Sequence, residues 1–162
     1  MGGSQVERFV DENGKKVEMS FEKGRFREAS NHVLVLCRYD GHWLLTRHKK
    51  RGLEFPGGKR EEGETLTDAA KRETYEETGG IIRELVFIGE YKVYDDPPFV
   101  KTIYFAEAEE LIPKDDYMET DGSVLWRGNF NEIQDDPSFS FIMKDQVVEL
   151  AVDRLADLDV TI

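Results

Sequence analysis

Glu73, Glu76 and Glu77 are the residues of this chain best suited to chemistry. Glu76 and Glu77 follow Glu73 by three and four residues, so a helix sets all three carboxylates on one face. Like charges at that spacing repel, and near a helix C-terminus the backbone dipole disfavours anions. Each effect costs from tenths of a kcal/mol to about 1 at an exposed site. A divalent cation reverses both signs, because hard cations such as Mg²⁺ take carboxylate, phosphate and water oxygens. The competing reading is an acidic helix end turned to solvent. Two neighbours favour a site. Gly57-Gly58 allows close backbone approach just ahead of the helix. Arg72, beside Glu73 and four residues before Glu76, is placed to orient a carboxylate by a bidentate contact. Around them lie Arg47, Lys49, Lys50 and Arg51 before the glycine loop, and Lys59 and Arg60 after it. In a chain of net charge −12 this basic island fits the outer phosphates of an anionic substrate. Taken singly, each of these cations could equally be solvated.

These groups need a frame, and the chain is long enough to supply one. Its 162 residues, 39% hydrophobic and 11% aromatic, read as a single domain over 1–162 with a core of its own. Val6 to Val10 and Lys16 to Phe21 flank Asn13-Gly14, a hairpin signal. His32 to Arg38 and Trp43 to Thr46 form a second strand pair turned at Asp40-Gly41. Phe55-Pro56-Gly57-Gly58 reads as a loop. Thr65 to Thr78 reads as a helix with Thr65 and Asp68 as its capping box and Gly79-Gly80 as its stop. Strands follow over Leu85 to Tyr94, Thr102 to Ala108 and Gly122 to Arg127. Phe141 to Leu158 reads as a closing helix with apolar residues at helical spacing. Strands and helices in this order imply an α+β or layered α/β/α domain.

Composition excludes several classes. The acidic balance argues against stable binding of duplex nucleic acid, which needs Lys and Arg in excess. Cys37 is the one cysteine, so neither an internal disulfide nor a Cys-rich zinc site is available. Its place in an apolar run marks a buried thiol. His32, His42 and His48 share no ligand spacing. No stretch reaches the roughly 18 apolar residues of a membrane span. The polar start Met1 to Val6 lacks the apolar core of a signal peptide. The expectation is a cytoplasmic protein.

Gly58, Glu64, Arg72-Glu73, Glu76-Glu77 and Gly79, at these intervals, resemble the signature of the Nudix hydrolases. At about 6% usage per residue, seven fixed positions would coincide on the order of once in a million chains. Thr74 and Gly80 depart from it, standing where the family prefers aliphatic residues. Leu53 to Lys59 is similar to the MutT-like branch. So are Tyr91-Lys92-Val93, Ile103 to Ala106 and Phe139 to Asp145, which point within it to nucleoside triphosphate diphosphatases associated with oxidised guanine nucleotides such as 8-oxo-dGTP.

The resemblance implies an α/β/α sandwich with a mixed sheet and a catalytic loop-helix, and an Mg²⁺- or Mn²⁺-dependent hydrolase. Carried over residue by residue, Glu76, Glu77 and the Gly57 carbonyl are metal ligands. Glu73 is a ligand or the catalytic base, held by Arg72. Glu64 is structural or a supplementary metal contact. A later loop supplies one more carboxylate, for which Glu119 fits best and Asp121 and Glu107 are rivals. Arg47, Lys59, Phe55 and Asp145 are the substrate-binding candidates, Asp145, or Lys144 beside it, as a reader of the base. Core packing of Phe139 and Phe141, with Asp145 as an N-cap, is the competing account of that last segment. The implied reaction converts a nucleoside triphosphate to monophosphate and pyrophosphate. The alternatives are hydrolysis of RNA 5′ ends or dinucleoside polyphosphates, and a Nudix-shaped module that binds nucleotide without turnover.

Overall fold

Turn chemistry sets the first two hairpins. In the computed structural model, which describes residues 6–158, β1 (Val6–Val10) and β2 (Lys16–Ser20) pair antiparallel. Asp11 binds the amides of Asn13 and Lys15, and Gly14 takes the left-handed conformation that closes the turn. The polar start read above as lacking a signal peptide lies outside the described residues except for Val6. β3 (Ser30–Tyr39) and β4 (His42–His48) are joined through Asp40 and Gly41, both at positive φ. That pattern matches the twist of a tight hairpin.

The remaining strands are β5 (Gly52–Glu54), β6 (Gly57–Lys59), β7 (Gly80–Ile82), β8 (Val86–Val93), β9 (Phe99–Leu111) and β10 (Thr120–Trp126). They form a ten-stranded sheet of main order β1-β2-β8-β9-β3-β4-β10, with β5 on β4, β6 on β3 and β7 on β9. β3 and β9 run parallel and the other pairs antiparallel.

Two helices cover the two faces. α1 (Leu66–Thr78) packs Ala69 and Ala70 against a core that includes Val33, Val35, Cys37, Leu44, Tyr104 and Ala106. α2 (Gln146–Asp157) buries Val147, Val148, Ala151 and Leu155 over the larger core of Leu34, Leu36, Leu45, Ile103, Phe105 and their neighbours. The expected α/β/α layering with a mixed sheet is present. Cys37 is fully buried, and burial pushes its thiol up to about 12. Among the described residues no helix is long and apolar enough to cross a membrane.

Three readings need correction. Gly57-Gly58 is not simply a loop, because Gly57–Lys59 pairs with Leu34, Val33 and His32. β9 extends beyond 102–108 because three neighbours, β3, β8 and β7, pair with it. The closing helix does not begin at Phe141. Ser140 accepts from the Ile142 amide and Phe141–Met143 makes a 3₁₀ turn. Asp145 then caps a new helix at Gln146.

The departures at 74 and 80 have a packing reason. A Cβ on Gly80 would stand 3.0 Å from Leu44 Cδ2 and 3.4 Å from Thr74 Cγ2. β7 therefore packs tightly over Thr74, which is fully buried with its hydroxyl unpartnered. Gly79 ends α1 at φ 78, and a Cβ there would overlap Ile112 O. Gly14, at φ 79, has open space around it. Gly14→Ala should cost about 1–2 kcal/mol from left-handed strain alone, and Gly79→Ala measurably more. Urea midpoints of the two variants check this, and equal losses would show that the Ile112 contact is immaterial.

Candidate active site

The two ends of α1 define the site. At its start the capping box is complete: Thr65 Oγ1 accepts from the Asp68 amide, and Asp68 accepts from that of Thr65. At its end the Glu77 carbonyl accepts from Thr46 Oγ1 at 2.9 Å and Thr120 Oγ1 at 3.2 Å. Lys114 Nζ donates to the carbonyls of Tyr75 and Glu76 at 3.2 Å each. A cation at a helix C-terminus offsets the dipole that opposes the glutamates. β4, β10 and the segment before β10 thus fix the last turn of the helix.

The glycines bring this turn against the sheet. A Cβ on Gly58 would overlap the Glu73 carboxylate, and one on Gly57 would overlap Val33 O. Gly57 N–H donates to Glu77 Oε1 at 3.2 Å. Arg72 joins the loop to the helix. Its Nε and Nη2 grip Glu64 at 2.7 and 3.0 Å, and Nη2 also donates to Lys59 O at 3.1 Å. Nη1 reaches Glu76 Oε1 at 3.2 Å and Glu73 Oε1 at 3.4 Å. The bidentate contact expected for Glu73 or Glu76 goes to Glu64 instead. Glu64 therefore holds the arginine, and Arg72 holds it down to about 2 by hydrogen bonding.

The carboxylates nearest the glycines are electrostatically costly. Burial pushes Glu73 up to about 7, with Arg72 opposing and Glu76 and Glu119 adding to the rise. Burial pushes Glu77 up to about 9, with the Glu73 charge adding and the Gly57 amide opposing. Hard oxygen donors crowded in this way fit a divalent cation. They are neighbours rather than a closed cage. Among the described residues no group of three His, Cys, Asp or Glu side chains converges as a formed ion site. Glu76 leans on Arg72 and Glu77 on Gly57 N–H, each through Oε1.

The other candidates divide. Glu119 is exposed in the turn before Thr120, and its charge reaches Glu73 and Arg51. Glu107 instead acts on Cys37 and Arg38, away from the helix end. Arg47 is exposed on β4 opposite Leu53. Lys59 stands on β6 opposite His32. The basic island is partly spent: Arg51 is paired with Glu54 at 2.9 and 3.0 Å, and Arg60 binds Asn31 Oδ1 and Glu64 O. Phe55, expected at the substrate, is 2% exposed and packs edge-on to Trp43 in the core. Phe139 is likewise core, whereas Phe141 is exposed. Asp145 is the cap of α2, with Oδ1 accepting from Val147 N–H at 2.9 Å.

Sequence reading missed Thr46, Thr120 and Lys114, whose contacts join distant segments. It also missed Lys101, although a lysine among the inward positions of a strand (Phe99, Lys101, Ile103, Phe105) is a visible signal.

Comparison with known proteins decides the family. The NUDIX domain pattern matches residues 27–134. The chain belongs to the NUDIX family. It is 43% identical over 150 residues to the Bacillus subtilis (strain 168) protein named "Putative 8-oxo-dGTP diphosphatase YtkD", covering 92% of this chain and 95% of that one. It superposes with a TM-score of 0.90 on the Bacillus subtilis pyrophosphohydrolase BsRppH, solved as a glutamate-to-alanine mutant, at 41% identity over 94% of this chain and 97% of that one. The NUDIX domain of Shewanella oneidensis NrtR, solved with ADP ribose, shares the fold at a TM-score of 0.61 and 18% identity, with 83% and 94% covered. This NUDIX chain is a hydrolase of the pyrophosphohydrolase type.

The approach of Glu73 to the glycine loop can be tested by filling it. Gly58→Ala should displace Glu73 and lower turnover at least tenfold while the thermal midpoint falls by only a few degrees. A variant with full turnover would show that Glu73 need not approach the loop. A second expectation concerns Asp145, which burial pushes up to about 7, with Lys101 opposing and Asp11 and Glu12 adding. A raised carboxyl pKa gives stability that is complete below about pH 4 and is lost as pH rises through about 7. Asparagine caps as well as aspartate. Asp145→Asn should therefore be stabilising by on the order of 1–3 kcal/mol above pH 7, and indistinguishable from wild type near pH 4. Urea unfolding at both pH values checks this.

Proposed function

We propose that the protein hydrolyses nucleoside triphosphates, oxidised guanine nucleotides such as 8-oxo-dGTP among them, to nucleoside monophosphate and pyrophosphate. The reading rests on one observation above all: at the end of α1, Glu73 is pressed against Gly58 and Glu77 accepts from the Gly57 amide, with Glu76 held on Arg72. The residues that would hold Mg²⁺ or Mn²⁺ are Glu73, Glu76, Glu77 and the Gly57 carbonyl, with Glu119 in reach as a further carboxylate. A bound cation supplies charge neutralisation on the phosphate oxygens during in-line displacement.

The chain's own residues supply the rest. Glu73, seated on Gly58 and near Arg72, takes a proton from the attacking water. Water oxygen bonds to phosphorus, the bridging P–O bond breaks, and pyrophosphate leaves. Arg72 keeps Glu73 and Glu76 in place and is itself fixed by Glu64. Arg47 and Lys59, which like Lys49 and Lys50 carry no ion pair among the described residues, meet the outer phosphates. Asp145 stands at the start of α2 as a reader of the base.

Hydrolysis of the 5′-triphosphate of RNA or of a dinucleoside polyphosphate is a second reading, favoured by the likeness to the pyrophosphohydrolase BsRppH. Both readings use the same centre and split the same kind of linkage. Glu77→Gln should reduce turnover by at least a hundredfold with an unchanged circular dichroism spectrum, because one ligand charge is lost at constant volume. Wild-type protein incubated with canonical and 8-oxo triphosphates and Mg²⁺ should release monophosphate and pyrophosphate. Activity confined to 5′-triphosphorylated RNA would select the second reading. A fully active Glu77→Gln at saturating Mg²⁺ would refute the centre.

A further inference from the structure

The hairpin end of β3 and β4, away from the catalytic centre, borders a cavity of about 480 Å³. The hairpin contributes Arg38 and Trp43 to it, β10 and the loop after it contribute Trp126 and Arg127, and one flank of α2 contributes Glu149 and Asp153. Strand register sets Arg38, Trp43 and Trp126 side by side across β3, β4 and β10. His32, which pairs with Lys59 after the glycine loop, is six residues back from Arg38 on β3, or about 20 Å of extended strand. Thr46 turns its hydroxyl to the end of α1. Trp43, three residues before it on β4, points to the opposite face. The cavity is thus separated from the glutamates along the strands and across the sheet.

Packing fixes its walls, while its charges stay unmatched. The Phe130 ring lies 5.6 Å from that of Trp43 and 4.7 Å from that of Trp126. A Cβ on Gly128 would stand 2.7 Å from Trp126 Cζ2, so the backbone next to Arg127 rests on that indole. The Arg38 guanidinium carbon stands 4.7 Å from the Trp43 ring centroid, and its Nη2 donates to Gly41 O at 2.7 Å. Burial disfavours the Arg38 charge and the Arg127 charge adds to this, with Glu107 on the neighbouring strand opposing. Arg38, Arg127, Glu149 and Asp153 form no ion pair among the described residues. Two cations that repel one another therefore share a cavity with two carboxylates that they do not reach. A ligand with an anionic end and hydrogen-bond donors at the other would complete this arrangement. Aromatic walls with a few polar groups, in a volume of about 300–1,000 Å³, are the usual make-up of a small-molecule site.

We propose that this cavity is a second, non-catalytic site that takes a purine nucleoside monophosphate. The Arg38 guanidinium is planar and backed on one face by an indole, so its other face receives the purine ring. Arg127 meets the phosphate as a charge-assisted donor. Glu149 and Asp153 accept from the N–H groups of the base and the hydroxyls of the ribose. A bare anion would leave the indoles and the α2 carboxylates unused. An apolar ligand would leave all four charges unmatched. The inference rests on the hydrolase reading in the choice of ligand alone, because a nucleoside monophosphate is the product of that reaction. Such a site senses product without occupying the catalytic centre.

The chain has two tryptophans, Trp43 and Trp126, and both line this cavity. Intrinsic fluorescence therefore reports on it without turnover. Wild type, Arg38→Met, Arg127→Met, Arg127→Lys and Glu77→Gln are titrated in EDTA with GMP, AMP and inorganic phosphate. GMP or AMP should change the wild-type fluorescence saturably. Arg38→Met and Arg127→Met should each weaken that binding at least tenfold, and Arg127→Lys should restore part of it. Arg127 is exposed, so its variants keep the fold, which circular dichroism checks, and their initial rates of triphosphate hydrolysis should equal that of wild type. Glu77→Gln should bind as wild type does. No saturable change, equal binding by Arg127→Met, or the same change with phosphate alone overturns the inference. So does a response lost in Glu77→Gln, which would put the nucleotide at the catalytic centre. Triphosphate hydrolysis without a fluorescence response to monophosphate refutes the second site and leaves the hydrolase intact. A response that depends on Arg127, in a protein that releases no product, sustains the site and refutes the hydrolase.

Discussion

The Glu73 carboxylate occupies the place a side chain on residue 58 would need. Most of the site depends on that one approach. It brings the last turns of α1 against the β6 backbone and lets the Gly57 amide reach Glu77. It also buries two acids: burial pushes Glu73 up to about 7 and Glu77 up to about 9, with the Glu73 charge adding to the second. Few sequences tolerate such an arrangement without compensation. Here the compensation comes from outside the three carboxylates: Arg72, itself gripped by Glu64, and Lys114 on the carbonyls of the last turn. A helix end left free would relieve the repulsion by moving away. The hydroxyls of Thr46 and Thr120 on the Glu77 carbonyl hold it in place.

The sheet separates two tasks. On the α1 side Ala69 and Ala70 bring the helix close to the sheet. On the α2 side the core is large and aromatic, and its edge near the loop turns polar through His32, Lys101 and Asp145. β6 and β3 connect the two tasks, because the chain passes from Lys59 on one side of the Gly57-Gly58 backbone to Glu77 on the other.

Local signals were the legible ones. Thr65 with Asp68, Gly79 and the glutamate spacing set the helix and its acidic face, because capping and periodicity act over four residues. Asp40-Gly41 set a hairpin for the same reason. What depended on distant partners was not legible. Gly57–Lys59 became a strand only through β3, and β9 lengthened because β7 and β8 flank it. Phe55, next to the glycine pair, invited a substrate role, but Trp43 and Phe130 enclose its ring. The bidentate grip of Arg72 went to Glu64, eight residues back, since the loop folds over the helix start. Asp145 was visible both as a cap and as a reader. The structure shows the cap, with Oδ1 accepting from Val147 N–H.

The central claim is that the end of α1 is a divalent-cation centre built from Glu73, Glu76 and Glu77. Calorimetric titration of nucleotide-free protein with Mg²⁺ and with Mn²⁺, for wild type and Glu77→Gln, tests it directly. The account predicts saturable binding to wild type and at least tenfold weaker binding to the variant. Equal binding by the two proteins would contradict it.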